Sequence, residues 1–119
     1  MRKILVVDDD KDINELIELV LETKDYKVEC QTRPEEAITH AEEFSPDAIL
    51  LDLSMPDVDG WEIYKKLKEH QDLKDIPVAI LTARSGEFDT MLGLHVMKAD
   101  AYIKKPFEPD ALLEKMNEL

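Results

Sequence analysis

Apolar residues fall along this chain in two alternating rhythms. Short unbroken runs are separated by longer stretches in which apolar positions recur every third or fourth residue. Ile4-Leu5-Val6-Val7, Ala48-Ile49-Leu50-Leu51 and Val78-Ala79-Ile80-Leu81 are unbroken, as expected of strands buried on both faces of a parallel sheet. Tyr26 to Cys30 alternates and predicts a peripheral second strand, and Ala101-Tyr102-Ile103 predicts a short fifth. Between them, Asp10 stands as an N-cap ahead of Ile13, Leu16, Ile17, Val20 and Leu21 at helical spacing. Pro34 opens a second helix carrying Ala37, Ile38 and Ala41, and Gly60 to His70 carries Ile63, Tyr64 and Leu67. Glu87 to Met97 predicts a fourth helix with Gly93 inside it, and Pro109 opens a fifth with Leu112, Leu113, Met116 and Leu119.

Five strand–helix units in succession predict an α/β fold: a parallel sheet, right-handed crossovers and helices on both faces. No repeat or linker interrupts the pattern. The chain ends where the fifth helix ends, so the expectation is a single domain over 1–119 with no output domain in this chain. A length of 119 residues suits one domain. Charge then narrows the function. Fifteen Lys+Arg against 28 Asp+Glu give −13, which repels phosphate backbones and argues against direct nucleic-acid contact. The single cysteine, Cys30, excludes a disulfide framework and suits a reducing compartment. No apolar run approaches the roughly 20 residues of a membrane helix, and Met1-Arg2-Lys3 leads straight into a strand. The expected location is cytoplasmic, without membrane insertion.

In open α/β sheets, ligands bind beyond the carboxyl ends of the strands. After the first run come Asp8, Asp9 and Asp10; after the third, Asp52; after the fourth, Thr82; after the fifth, Lys104 and Lys105. Caps and solvated turns account for Asp10 and Asp12, and for Asp57 and Asp59 before Gly60. They account less well for Asp8, Asp9 and Asp52, which neighbouring strands would aim at one another. Close carboxylates raise a pKa or require a cation. A small set of oxygen ligands suits Mg²⁺. A divalent ion beside a carboxylate, with Lys105 and Thr82 near, points to phosphoryl transfer, with Asp52 as nucleophile. His40, His70 and His95 lie in predicted helices away from this edge.

These residues make the chain similar to the receiver domain of two-component response regulators. The resemblance rests on Val6-Val7-Asp8-Asp9-Asp10, on Leu51-Asp52-Leu53-Ser54-Met55-Pro56 running to Asp59-Gly60, on Leu81-Thr82-Ala83, and on Lys105-Pro106-Phe107. It implies a flavodoxin-like, doubly wound (βα)5 sandwich with strand order 2-1-3-4-5. It implies a signalling domain rather than an enzyme, in which Asp52 accepts a phosphoryl group from a sensor histidine kinase or phosphotransfer protein. Asp8, Asp9, Asp52 and the backbone carbonyl of Ser54 would hold Mg²⁺, and Lys105 would contact the phosphoryl oxygens. Thr82 and Tyr102 would act as the switch pair, and the Lys105–Pro106 bond would be cis. The face made by the fourth helix, fifth strand and fifth helix would change shape to control a downstream protein partner or fused effector, with a dimer through the same face as one outcome.

The chain departs from the family pattern between Thr82 and Lys105. That stretch runs about one residue longer, and Lys98 stands where a helix-ending glycine is common. Leu94 and Met97 fall off the predicted core stripe of the fourth helix, on a second apolar side. Ser54 and Arg84, from their positions relative to Asp52 and Thr82, bear on the lifetime of the phosphoryl group. A Mg²⁺-dependent aspartyl-phosphate phosphatase of the haloacid-dehalogenase type is the alternative. It would carry an acid two residues after the nucleophile, where this chain has Ser54. A flavin carrier on the same fold would need a phosphate-cradling loop where Asp8-Asp9-Asp10 stand.

Overall fold

A computed structural model of the chain describes residues 2–55, 58–83 and 99–119. Strands β1 (Lys3–Val7), β2 (Lys27–Gln31), β3 (Ala48–Asp52), β4 (Val78–Thr82) and β5 (Ala101–Lys104) form one parallel sheet in the order β2-β1-β3-β4-β5. The order reverses at β1, which has β2 on one side and β3 on the other. The crevice beyond the carboxyl ends of β1 and β3 is therefore where such a sheet binds ligands.

Helix α1 (Lys11–Glu22), helix α2 (Ala37–Phe44), helix α3 (Gly60–Glu69) and a C-terminal helix (Pro109–Asn117) cover the sheet. Alternate strand residues feed two cores. Leu5, Val7, Ile49, Leu51 and Ile80 pack against α2 and α3 through Phe44, Tyr64 and Leu67. Ile4, Val6, Leu50 and Leu81 pack on the other face against Ile17 and Leu21 of α1 and Leu112 and Met116 of the C-terminal helix. Both faces of β1, β3 and β4 are thus buried, which is why their sequences are unbroken apolar runs.

The elements differ from expectation in a few places. On α1 the buried positions are Asn14, Ile17 and Leu21, whereas Leu16 is 40% exposed. The stripe runs i, i+3, i+7, which takes in a polar residue and leaves Leu16 at its edge. Pro34 opens a short 3₁₀ turn, Pro34–Glu36, and α2 proper is only 8 residues long because Ser45 turns left-handed at φ 51. The C-terminal helix has 9 residues and ends at Asn117, short of the Leu119 that the apolar spacing took in. Strand β2 begins at Lys27 rather than Tyr26, after a left-handed Asp25. The predicted fourth helix, with Gly93, Leu94, His95, Met97 and Lys98, lies outside the described residues, as do Pro56, Asp57 and Arg84.

The helix starts nearest the crevice are tightly specified. Asp10 caps α1, its carboxylate accepting from the backbone N–H groups of Asp12 and Ile13. Asp59 caps α3 by accepting from Trp61 N–H. Gly60 then passes so close to β3 that a Cβ there would lie 2.7 Å from Leu53 Cα and 2.9 Å from the Asp52 carbonyl oxygen. Only glycine lets α3 start this close to the end of β3.

Candidate functional site

Backbone pairing continues just past the strands and fixes the first residues beyond them. Asp8 N–H donates to Gln31 O (3.1 Å), Leu53 N–H to Leu81 O (3.1 Å) and Lys105 N–H to Thr82 O (2.8 Å). The sheet therefore delivers Asp8, Asp52, Thr82 and Lys105 to one edge, as the spacing predicts. Carboxylate oxygens of Asp8, Asp9 and Asp52 lie within 4.8 Å of one another. Asp8 and Asp52 are buried and Asp9 is exposed, so the cluster opens to solvent on the Asp9 side.

Lys105 reaches into this cluster. Its Nζ is 2.7 Å from Asp8 Oδ2 and 3.6 Å from Asp52 Oδ2. The other Asp8 oxygen accepts from Asp10 N–H at 3.0 Å, and the Asp8 carbonyl accepts from Asn14 Nδ2 at 2.9 Å. Asp52 Oδ1 accepts from Ser54 N–H at 2.9 Å. Burial pushes the Asp52 carboxyl up to about 6, and neighbouring Asp8 adds to the rise; the Ser54 N–H and the Lys105 ammonium oppose it. Three carboxylates facing one ammonium leave two negative charges when all are ionised. Hard oxygen donors with that residual charge suit a small divalent cation.

Thr82 is fully buried at the end of β4, and its hydroxyl lies 2.8 Å from that of Ser54. Tyr102, on β5, is half-buried against the α2–α3 core. The Lys105–Pro106 peptide bond is cis. Phe107 beyond it packs against the opposite core.

Other singled-out residues have structural partners. His40 places Nε2 2.7 Å from Glu29 and Nδ1 2.9 Å from the Gln31 amide. His70, capping α3, lies 3.0 Å from Glu42. Trp61 is buried and meets Tyr64 edge-on with ring centres 5.6 Å apart. Burial, with Glu18 beside it, pushes the Cys30 thiol up to about 11, consistent with an inert strand residue. One site residue and one contact of a residue already singled out escaped the sequence. Asn14 anchors the Asp8 backbone, and its signal was its place in the i, i+3, i+7 stripe with Ile17 and Leu21. The Ser54 side chain pairs with Thr82, a cross-strand contact that chain spacing does not encode.

The strand order and the acidic edge together define a doubly wound α/β domain able to hold a cation beside a buried carboxylate. The chain belongs to the response regulator receiver domain family, which it matches over residues 4–117. It is 43% identical over 108 residues to the alkaline phosphatase synthesis transcriptional regulatory protein PhoP of Bacillus subtilis, covering 91% of this chain and 44% of that protein. It is 40% identical to the response regulator SaeR of Staphylococcus epidermidis, over 100% of this chain and 50% of that protein. The chain thus spans about half the length of these relatives. Among solved structures it is similar to the chemotaxis response regulator CheY4 of Vibrio cholerae, with a TM-score of 0.90 at 29% identity, covering 100% of this chain and 99% of that one. Receiver domains are signalling domains that bind Mg²⁺ at an acidic pocket, and their family implies a histidine kinase or phosphotransfer partner. No helix among the described residues is long and apolar enough to cross a membrane.

Proposed function

We propose that Asp52 is the phosphoacceptor of a two-component relay and that residues 1–119 work as one receiver unit. The donor is the phosphohistidine of a sensor kinase or phosphotransfer protein. An Asp52 Oδ–phosphorus bond forms as the histidine nitrogen–phosphorus bond breaks, and the imidazole leaves with the electron pair. The observation that carries this reading is the buried Asp52 carboxylate, gathered with Asp8 and Asp9 within 4.8 Å and 3.6 Å from the Lys105 ammonium. Asp8, Asp9, Asp52 and the Ser54 carbonyl would hold Mg²⁺. Bound there, the ion would neutralise charge on the transferring oxygens.

The remaining work falls to the chain. Lys105 orients and neutralises a phosphoryl oxygen, and Asp8 holds Lys105 in place through its 2.7 Å contact. Thr82 donates its hydroxyl to a second oxygen after turning toward Asp52, and Tyr102 follows it inward. Phosphorylation replaces the single charge of the Asp52 carboxylate with a phosphoryl group of about −1.5 to −2, a net gain of about one half to one negative charge that comes with strong acceptor oxygens at one point. Thr82 and Lys105 can meet that charge in only one loop arrangement, so the group biases a two-state element. The affected face includes β5 and the C-terminal helix. It would control a downstream partner, a fused effector or a dimer, in the cytoplasm and with no nucleic-acid contact by this domain itself. Hydrolysis of the acyl phosphate within the same site resets the switch. Nothing in the geometry favours the phosphatase alternative.

Intact-mass spectrometry after incubation with Mg²⁺ and acetyl phosphate tests this. One added phosphoryl group is expected, and none in Asp52→Ala or in EDTA. Equal gain in Asp52→Ala would overturn the assignment.

A further inference from the structure

Ser54 occupies a position between the two groups that matter most. Its backbone N–H donates to Asp52 Oδ1 at 2.9 Å, and its hydroxyl lies 2.8 Å from the Thr82 hydroxyl. The two residues sit just past β3 and at the end of β4, strands whose pairing carries on to the Leu53 N–H. Their separation is therefore set by the sheet rather than by loose loops. Thr82 is β-branched and fully buried, so its hydroxyl moves by jumps between a few staggered rotamers, not by gradual swivelling. A hydrogen bond that one rotamer makes and the next does not is a bias on that jump.

We propose that the Ser54 hydroxyl is a latch that holds Thr82 in its resting rotamer, making Ser54 a positioning residue that sets how readily the switch turns on. The inference rests on the phosphoacceptor reading of Asp52. Turning Thr82 toward a phosphoryl group on Asp52 breaks the 2.8 Å contact. The resting state is thereby favoured by one hydroxyl pair, whose net worth corresponds to a population bias of about 2- to 10-fold. The backbone N–H of Ser54, which steadies Asp52, is untouched by a change of side chain. Latch and anchor are therefore separable by mutation.

The test uses beryllium trifluoride, a non-hydrolysing phosphoryl mimic, so that the lifetime of an acyl phosphate does not enter. The mimic is titrated with Mg²⁺ into the wild type, Ser54→Ala, Thr82→Ala and the double variant, followed by NMR signals of Tyr102 and of residue 82. Ser54→Ala is expected to bind about 2- to 10-fold more tightly than wild type, with Tyr102 shifted further toward its bound position at subsaturation. In the Thr82→Ala background the same substitution should change affinity by less than about 1.5-fold, because the latch has nothing to hold. Unchanged or weaker binding by Ser54→Ala overturns the latch, and so does an equal gain in the Thr82→Ala background. Failure of the wild type itself to bind the mimic would instead sink the phosphoacceptor reading. Thermal melts of all four proteins separate a loss of folding from a shift in switching.

Discussion

Asp52 carries a conflict that pH can expose. Burial raises its carboxyl from 3.8 to about 6, so the folded protein binds this proton more tightly than the unfolded chain does. The stabilisation from that proton is full below about pH 4 and is lost as pH rises through about 6. Above that range the ionised group opposes folding, by on the order of 2–3 kcal/mol. In EDTA, Asp52→Asn is therefore expected to raise the melting temperature at about pH 7.5. The gain should shrink as pH falls through about 6 and vanish near pH 4. A pH-independent effect, measured by thermal melts across that range, would mean that Asp52 is not strained by its charge. Lys105 acts in the opposite sense. Replacing it with Met leaves the buried Asp8 carboxylate without its 2.7 Å ammonium partner, at a cost of about 1–3 kcal/mol. If Lys105 meets the transferring group as proposed, the change also removes that charge, and phosphorylation by acetyl phosphate should slow by roughly 10²-fold. Stopped assays of phosphoprotein yield would check this.

At the level of elements, the approach of α3 to β3 decides whether Asp52 is held in place. Gly60→Ala gains at most about 1 kcal/mol of helix propensity. Against this, the new Cβ would meet Leu53 Cα at 2.7 Å and the Asp52 carbonyl at 2.9 Å, both backbone atoms that cannot rotate away. Overpacking of about 1–3 kcal/mol wins, so the variant should melt lower and accept phosphoryl groups more slowly, since the shift falls on Asp52 itself. A melting temperature at or above wild type would show that the backbone yields. The same elements show what the sequence could reveal. β1, β3 and β4 were legible because burial on both faces writes itself as an unbroken apolar run. The lengths of α2 and the C-terminal helix were not, because Pro34 at a first-turn position suits a 3₁₀ turn as well as an α-helix, and Ser45 gives no glycine-like stop signal. Leu16 was misplaced because an apolar residue beside the stripe looks the same in sequence as one within it.

For the whole molecule, the candidate site was legible because parallel topology sends every strand's carboxyl end to one edge; what escaped were contacts across strands, such as Ser54 with Thr82. That convergence places three acids together in a chain of net charge −13, and the folded state must concentrate repulsion that the unfolded chain spreads out. Two cationic remedies can be told apart. General screening acts on all surface charge and depends on ionic strength, whereas a site-bound ion stabilises by mass action. At Mg²⁺ about ten times its dissociation constant, binding should add about 1.4 kcal/mol, or roughly 5 °C for a domain of this size. NaCl at matched ionic strength should give less than half of that shift. Asp9→Asn removes the exposed carboxylate of the cluster, through which solvent reaches it, without burying a new polar group. It should abolish the Mg²⁺-specific part and leave the NaCl response intact. Equal Mg²⁺ and NaCl shifts in the wild type would mean that the acids at this edge repel as a surface and do not act as a site.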